Sequence, residues 1–277
     1  MSRAWTPPLS LKLSCALHGL AAVGALSQPS WWPLSLGAVA FNHAALTLAG
    51  LVPRSQWLGS NLTQLPKACV ARQEVALTFD DGPDPEVTPL VLDLLDAWQV
   101  KATFFCIGWR ARQHPDICRQ MVARGHQIES HGDRHSWGFA TWGPARIKAD
   151  IAAASATLAD ITGLPAKYFR PIAGLRNPFL EPILCELDLQ QVTWTRRGFD
   201  TRERQAPVVL QRLQKNLSAG DILLMHDGHS AGASQGAPVI LSVLPTLLGT
   251  LKRRHLKPVT LNQALENDAE KEAEKDA

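Results

Sequence analysis

From residue 74 onward, short apolar runs alternate with longer segments whose apolar residues recur at helical spacing. "EVALTF" (74–79) is nearly continuous in apolar residues and of strand length, as in a strand buried on both faces. "TPLVLDLLDAW" (88–98) has the 3–4 residue spacing of an amphipathic helix and a Thr-Pro start. "KATFFCIG" predicts a strand, "HPDICRQMVARGH" a helix ended by Gly125, and "QIESH" a strand. "GPARIKADIAAASATLADITG" predicts a long helix. "KYFRP" and "QQVTWT" read as short strands flanking a "FLEPILCELD" helix. "PVVLQRLQKNLSAG" is helical, "DILLMHD" a strand, "PVILSVLPTLLGTLKRR" a helix and "KPVTL" a last strand. The alternation predicts an α/β fold of parallel units rolled into a barrel-like sheet.

The first sixty residues follow another pattern. "LSLKLSCALHGLAAVGALS" (9–27) carries one charge, Lys12, and "LSLGAVAFNHAALTLAGLV" (34–52) carries none. Each is near the roughly 20 residues that cross a bilayer. Trp5, Trp31, Trp32 and Trp57 sit near the ends, where an interfacial belt places them. The organisation predicted is a two-helix membrane hairpin over 1–60, a domain over 61–265, and a charged, disordered tail over 266–277. His18, Asn42 and His43 are costly in lipid, so a pair of buried or interfacial helices is the alternative. "ALSQ" offers small residues for signal cleavage, but the second apolar segment follows closely. Arg3, Lys12 and the amino terminus precede the hairpin, Arg54, Lys67 and Arg72 follow it, and its turn has no Lys or Arg. That bias predicts a bacterial inner-membrane anchor with the domain in the cytoplasm.

Composition narrows the classes further. The 277 residues are 45% hydrophobic and 19% charged, with a formal net charge of +3. No basic stripe with interleaved aromatics argues for nucleic acid as a partner. Five cysteines, an odd number without CxxC, predict buried reduced thiols rather than a disulfide framework or thiolate zinc site.

Polar clusters fall at the predicted strand ends: "DDGPDP", "SHGDRH", "RPIAG", "RRGFDT" and "HDGH". In parallel β/α folds chemistry collects there. His131 and His135 are four apart; on one helical turn they would face the same way and grip one metal. A carboxylate from a neighbouring strand end completes a nitrogen and oxygen set suited to zinc, or to cobalt, nickel or manganese. Asp80 and Asp81 are adjacent where a strand stops. One can bind the ion while the other acts as general base on the water that the ion activates. An ordinary Asp-Gly-Pro turn would explain the same residues. His226 can protonate a leaving group, Arg170 can pair with the base carboxylate, and Asp200 can orient His226.

Together these residues resemble the polysaccharide deacetylases of the NodB-homology type, carbohydrate esterase family four. The resemblance covers residues 72–262 and rests on "TFDDGP" (78–83), "HGDRH" (131–135), "RPIAG" (170–174), "WTRRGFDT" (194–201) and "LLMHD" (223–227), with "KATFF" (101–105) matching the second strand. It implies a distorted (β/α) barrel and metal-dependent hydrolysis of an N-acyl group on an amino sugar. By position, Asp80 matches the base, and Asp81, His131 and His135 the metal ligands. Arg170 matches the arginine that tunes the base. Asp200 and His226 match the carboxylate and the catalytic histidine that it orients. The Ala173 N–H would join the metal in holding the oxyanion, and Leu224 would receive the acyl methyl. Four positions depart from the pattern: Gly132 where the family has Ser or Thr, Ala173 for an aromatic, Arg197 for Asp, and Thr201 for Trp.

The function implied is a membrane-attached N-deacetylase that uses one divalent ion, with zinc favoured. A cytoplasmic domain would favour a lipid-linked amino sugar over finished wall polymer. A deformylase of a lipid-linked sugar and a catalytically inactive glycan-binding barrel are the alternatives.

Overall fold

The computed structural model describes residues 4–232 and 236–266. From residue 267 on, the predicted charged tail lies outside the described residues. The elements, in chain order, begin with two long helices, α1 (Leu9–Ser27) and α2 (Trp32–Leu51). A short α3 (Lys67–Ala71) precedes β1 (Glu74–Asp80), α4 (Thr88–Ala97), β2 (Thr103–Cys106), α5 (Gly108–Gln113), α6 (Pro115–Ala123) and β3 (Gln127–Ser130). Then come α7 (Pro144–Thr162), β4 (Tyr168–Phe169), α8 (Leu180–Glu186), β5 (Gln190–Gln191) and β6 (Arg196–Arg197). The order closes with α9 (Ala206–Gln214), β7 (Ile222–His226), α10 (Val239–Arg253) and β8 (Lys257–Val259).

The strands form one 8-stranded sheet in the order β5-β4-β3-β2-β1-β7-β6, with β8 beside the first half of β1. Every named pairing is parallel. β1 is central and buried throughout, as its unbroken apolar run requires. Its register with β7 sets Asp80 directly beside His226. On one side of the sheet Phe79 stacks on Phe104 at 5.1 Å, packed among residues of α4 and α10.

Of the run read as one strand, "QQVTWT" (190–195), only Gln190–Gln191 is strand, and a second short strand begins just beyond it. Gln190–Gln191 pairs with β4, whereas Arg196–Arg197 pairs with β7 at the other end of the sheet path. The chain between them crosses the gap, and Leu62 bridges Val192 there. The barrel is therefore distorted: backbone from 61–62 and 192–195 fills the space that a longer strand would occupy.

The two N-terminal helices are long and apolar enough to cross a membrane by length and composition. Their leucines and valines face outward, including Leu13, Leu20, Val23, Leu36 and Leu48. The polar residues that seemed costly meet one another instead. Asn42 Nδ2 donates to Ser14 Oγ at 2.8 Å, His18 Nδ1 reaches the Ser14 carbonyl at 2.7 Å, and the His18 and His43 Nε2 atoms are 3.2 Å apart. Satisfying polar groups between helices is what an apolar solvent demands. The end of α2 also braces the "RPIAG" loop. Arg176 N–H donates to the Gly50 carbonyl at 3.1 Å, and a Cβ on Gly174 would lie 2.5 Å from Pro53.

All five cysteines are free; four are buried and Cys15 is exposed. Phe104→Ala removes one half of the stacked aromatic pair at 0% exposure. It is expected to lower unfolding stability by about 3–5 kcal/mol, read from the shift in urea midpoint at unchanged slope.

Candidate active site

One cleft of about 490 Å³ opens at the C-terminal ends of β1, β3 and β7, and Asp80, Asp81, His131, His135, Ala173, Leu224 and His226 all line it. Arg170 and Asp200 lie beneath, each at 0% exposure. The residues singled out in the sequence are thus gathered in one place.

β1 ends on Asp80, and the backbone turns at Asp81, whose φ of 73° is left-handed. That turn lets two neighbouring carboxylates face one cleft instead of opposite sides of the sheet. The turn is packed tightly. A Cβ on Gly82 would fall 2.2 Å from Asp227 Oδ2, and one on Gly228 would fall 2.2 Å from the Asp81 carbonyl oxygen. Only glycine fits either position.

Asp80 Oδ1 accepts from Arg170 Nη1 at 2.6 Å. Arg170 is no surface partner: its remaining donors go to Thr78 Oγ1 at 2.9 Å, the Thr193 carbonyl at 3.0 Å and the Val192 carbonyl at 3.3 Å. Burial lowers the Arg170 pKa, and the Asp80 carboxylate pushes it back up.

Asp81 Oδ1 lies 3.2 Å from His131 Nε2 and 2.9 Å from His135 Nε2. The two histidines do not share a helical turn. Residues 131–135 form a loop, and His135 has a φ of 49°. The loop brings both rings to Asp81 by a different route from the helical spacing. It is tied down by Asp150, which accepts from Asp133 N–H at 3.0 Å and Arg134 N–H at 3.1 Å. Gly132, at φ 79°, approaches Asp150 so closely that a Cβ would lie 2.7 Å from Oδ2. The loop-fixing role left open by the missing hydroxyl is filled by a carboxylate.

These residues fit a divalent ion. His131 Nδ1–H donates to the Arg170 carbonyl at 2.7 Å, which turns the Nε2 lone pair toward Asp81 in the neutral ring. Asp81 Oδ1 is buried and has no hydrogen-bond partner. Lone pairs facing one another at this distance call for a cation between them. The separations of Asp81 from each histidine resemble the spacing of about 3.3 Å between ligands on one tetrahedral ion with bonds of about 2 Å. Burial raises the Asp81 pKa, but the neighbouring His131, His135 and His229 imidazoles outweigh it and hold the carboxyl well below its usual range. For His131, burial lowers the pKa and the charges of Asp80 and Asp81 override it, giving a net rise. A metal ion would compete with that proton for the same nitrogen.

His226 meets Asp200 twice. Its ring Nδ1–H donates to Oδ1 at 2.8 Å, and its backbone N–H donates to Oδ2 at 2.8 Å. Burial lowers the His226 pKa, but the Asp200 carboxylate dominates and lifts it to about 9.

Among the residues that line the cleft without having been singled out in the sequence are His229, Trp109, Trp137 and Arg134. His229 was within reach, three residues after His226 in "HDGH". The departures Arg197 and Thr201 also line the cleft. The Arg197 guanidinium lies over the Trp194 ring at 5.2 Å and the Phe199 ring at 4.8 Å.

A family model described as polysaccharide deacetylase matches residues 67–192. A peptidoglycan-N-acetylglucosamine deacetylase of Bacillus cereus is 33% identical over 194 residues, 69% of this chain and 87% of that protein. The chain belongs to the polysaccharide deacetylase family. A chitooligosaccharide deacetylase of Bradyrhizobium sp. is 32% identical over 193 residues, 66% of this chain and 86% of that protein. Among solved structures, the Bc1960 peptidoglycan N-acetylglucosamine deacetylase superposes with a TM-score of 0.67 at 29% identity, covering 74% of this chain and 92% of that one. The curled parallel sheet is the fold of carbohydrate esterase family four, and polysaccharide deacetylases generally use a divalent metal.

Asp200→Asn removes the charge that holds the His226 proton. The His226 pKa, about 9 in the native chain, is expected to fall, as read by NMR titration of the imidazole. The sign for stability follows. A folded pKa above the unfolded 6.5 contributes stability below about pH 6.5 that is lost as pH rises through about 9. The variant should lose that dependence.

Proposed function

We propose that this chain is a metal-dependent hydrolase that removes the N-acetyl group from an amino sugar of a glycan. The observation that carries the reading is the Asp81, His131 and His135 set facing Asp80 and His226 across one cleft. The curated relatives act, by their names, on peptidoglycan N-acetylglucosamine and on chitooligosaccharide.

Asp81, His131 and His135 would hold the ion. A divalent ion bound there supplies Lewis acidity to the acyl carbonyl and to an attacking water. Asp80 takes the proton of that water. Its ion pair with Arg170 keeps it aimed. The backbone N–H of Ala173 donates to the oxyanion as negative charge develops. Leu224 offers the apolar wall for the acyl methyl. His226, held protonated by Asp200, gives its proton to the departing amine nitrogen. That transfer makes a poor leaving group a good one. The intact Asp80 and His226 argue against an inactive glycan-binding barrel.

A finer reading places the acyl sugar on a lipid carrier, and two observations favour it. Arg134, Arg197 and Arg202 line the cleft, and none forms an ion pair with a carboxylate among the described residues. An anionic linkage such as a sugar phosphate would suit three guanidiniums without a carboxylate ion pair. A groove of about 750 Å³, mostly apolar, also runs between the helical hairpin and the domain, lined by Leu11, Leu46, Leu51, Ala140 and Phe179. If the hairpin spans a bilayer, a hydrocarbon chain beside it would meet this groove. The charge bias around the hairpin favours the cytoplasmic side for this surface.

Zinc-loaded chain is expected to release acetate from N-acetylated saccharide, and comparison with formate release separates deacetylation from deformylation. Asp80→Asn should retain its metal and lose about 100-fold to 10,000-fold in rate. Full activity in that variant would reject Asp80 as the base.

A further inference from the structure

We infer that His229 is a positioning residue for the metal carboxylate: it donates a hydrogen bond to the outer oxygen of Asp81 and leaves the inner oxygen alone to bind the ion. This rests on the reading that Asp81, His131 and His135 hold that ion.

His229 Nδ1 lies 3.2 Å from Asp81 Oδ2, whereas His131 and His135 both approach Oδ1. Its other nitrogen, Nε2, is 2.9 Å from Arg110 Nη2. A guanidinium has donors only, so Nε2 must accept and the ring proton must sit on Nδ1. His229 is thereby fixed as a donor toward Asp81, with the tautomer set by its partner. Arg110 is itself held, 3.8 Å from Asp84 Oδ2 and 5.3 Å over the Trp109 ring.

The backbone delivers this contact. Gly228 N–H reaches the Asp80 carbonyl at 3.4 Å, and the absence of a side chain there lets the loop rest on the Asp81 carbonyl. Asp227 Oδ2 accepts from Thr88 Oγ1 at 2.6 Å and fixes the loop from beneath. His229 then enters the cleft at a left-handed φ of 56°. Ligand atoms of Asp81, His135 and His229 all lie within 4.8 Å of one another, so direct ligation by His229 is the competing arrangement. The Arg110 contact disfavours it. Nδ1 would have to lose its proton to offer a lone pair to the ion, and Nε2 would then carry the ring proton against a guanidinium donor.

The test compares the full chain with His229→Ala and His229→Gln, the latter retaining an N–H donor. Zinc affinity is read by competition with a chromophoric chelator, and the ligand set by absorption of the cobalt(II) form. Outer partners of metal ligands typically contribute about 10-fold to 100-fold in affinity. His229→Ala should lose that much, His229→Gln should recover most of it, and both should keep the cobalt band intensities of the native chain. Thermal midpoints of the metal-free proteins should agree. Zinc affinity unchanged in His229→Ala overturns the inference, as does a cobalt spectrum that shows one ligand fewer. A native chain without zinc affinity overturns the metal reading beneath it.

Discussion

Everything in the site depends on accommodating two adjacent carboxylates in a buried cleft. Asp80 and Asp81 are 3% and 5% exposed, and like charges this close in a low-dielectric interior resist joint ionisation. The fold answers with a separate source of positive charge for each. Asp80 has the Arg170 guanidinium, itself fully buried and held by three further acceptors. Asp81 has three imidazoles around it and a place between two of them suited to a cation. The two partners divide the pair into different chemical roles. An arginine-paired carboxylate stays free to take a proton, whereas a carboxylate among imidazole nitrogens is a ligand.

The scaffold is arranged around that division. Parallel pairing of β1 with β7 places Asp80 abreast of His226, so the two proton-transfer groups share one level of the sheet. Asp200 reaches His226 from the loop after β6, a strand of two residues whose pairing with β7 sets its register. The "RPIAG" loop supplies Arg170 below and Ala173 above, and its far end rests on the chain leaving α2. The N-terminal helices are therefore joined to the site by packing as well as by covalent chain.

Much of this was legible in the sequence because buried parallel strands and amphipathic helices leave strong, distinct patterns. β1, α4, α7 and α10 each carry such a pattern and stand where it placed them. Two-residue strands leave none, so the end of β5 inside "QQVTWT" and the start of β6 just after it, at the other end of the sheet path, were hidden. The HxxxH spacing reads as a helical turn, whereas both rings approach Asp81 from a loop. A loop pinned by Asp150 and a helical turn can present the same two rings, and spacing alone does not separate them. His229 was passed over for a related reason. Its contact with Asp81 depends on Gly228 packing against a carbonyl in β1's own turn, a long-range approach with no local signature. The polar residues of the hairpin, by contrast, looked unfavourable one by one and became compatible once Ser14, His18, Asn42 and His43 met.

The central claim is that one divalent ion resides between Asp81 and the two histidines of the 131–135 loop. Anomalous diffraction from crystals of the zinc-loaded chain, recorded on both sides of the zinc absorption edge, tests it most directly. The account predicts one strong peak per chain within bonding distance of Asp81 Oδ1, His131 Nε2 and His135 Nε2. A cleft without an anomalous peak in zinc-saturated crystals, or a peak held by other residues, would contradict it.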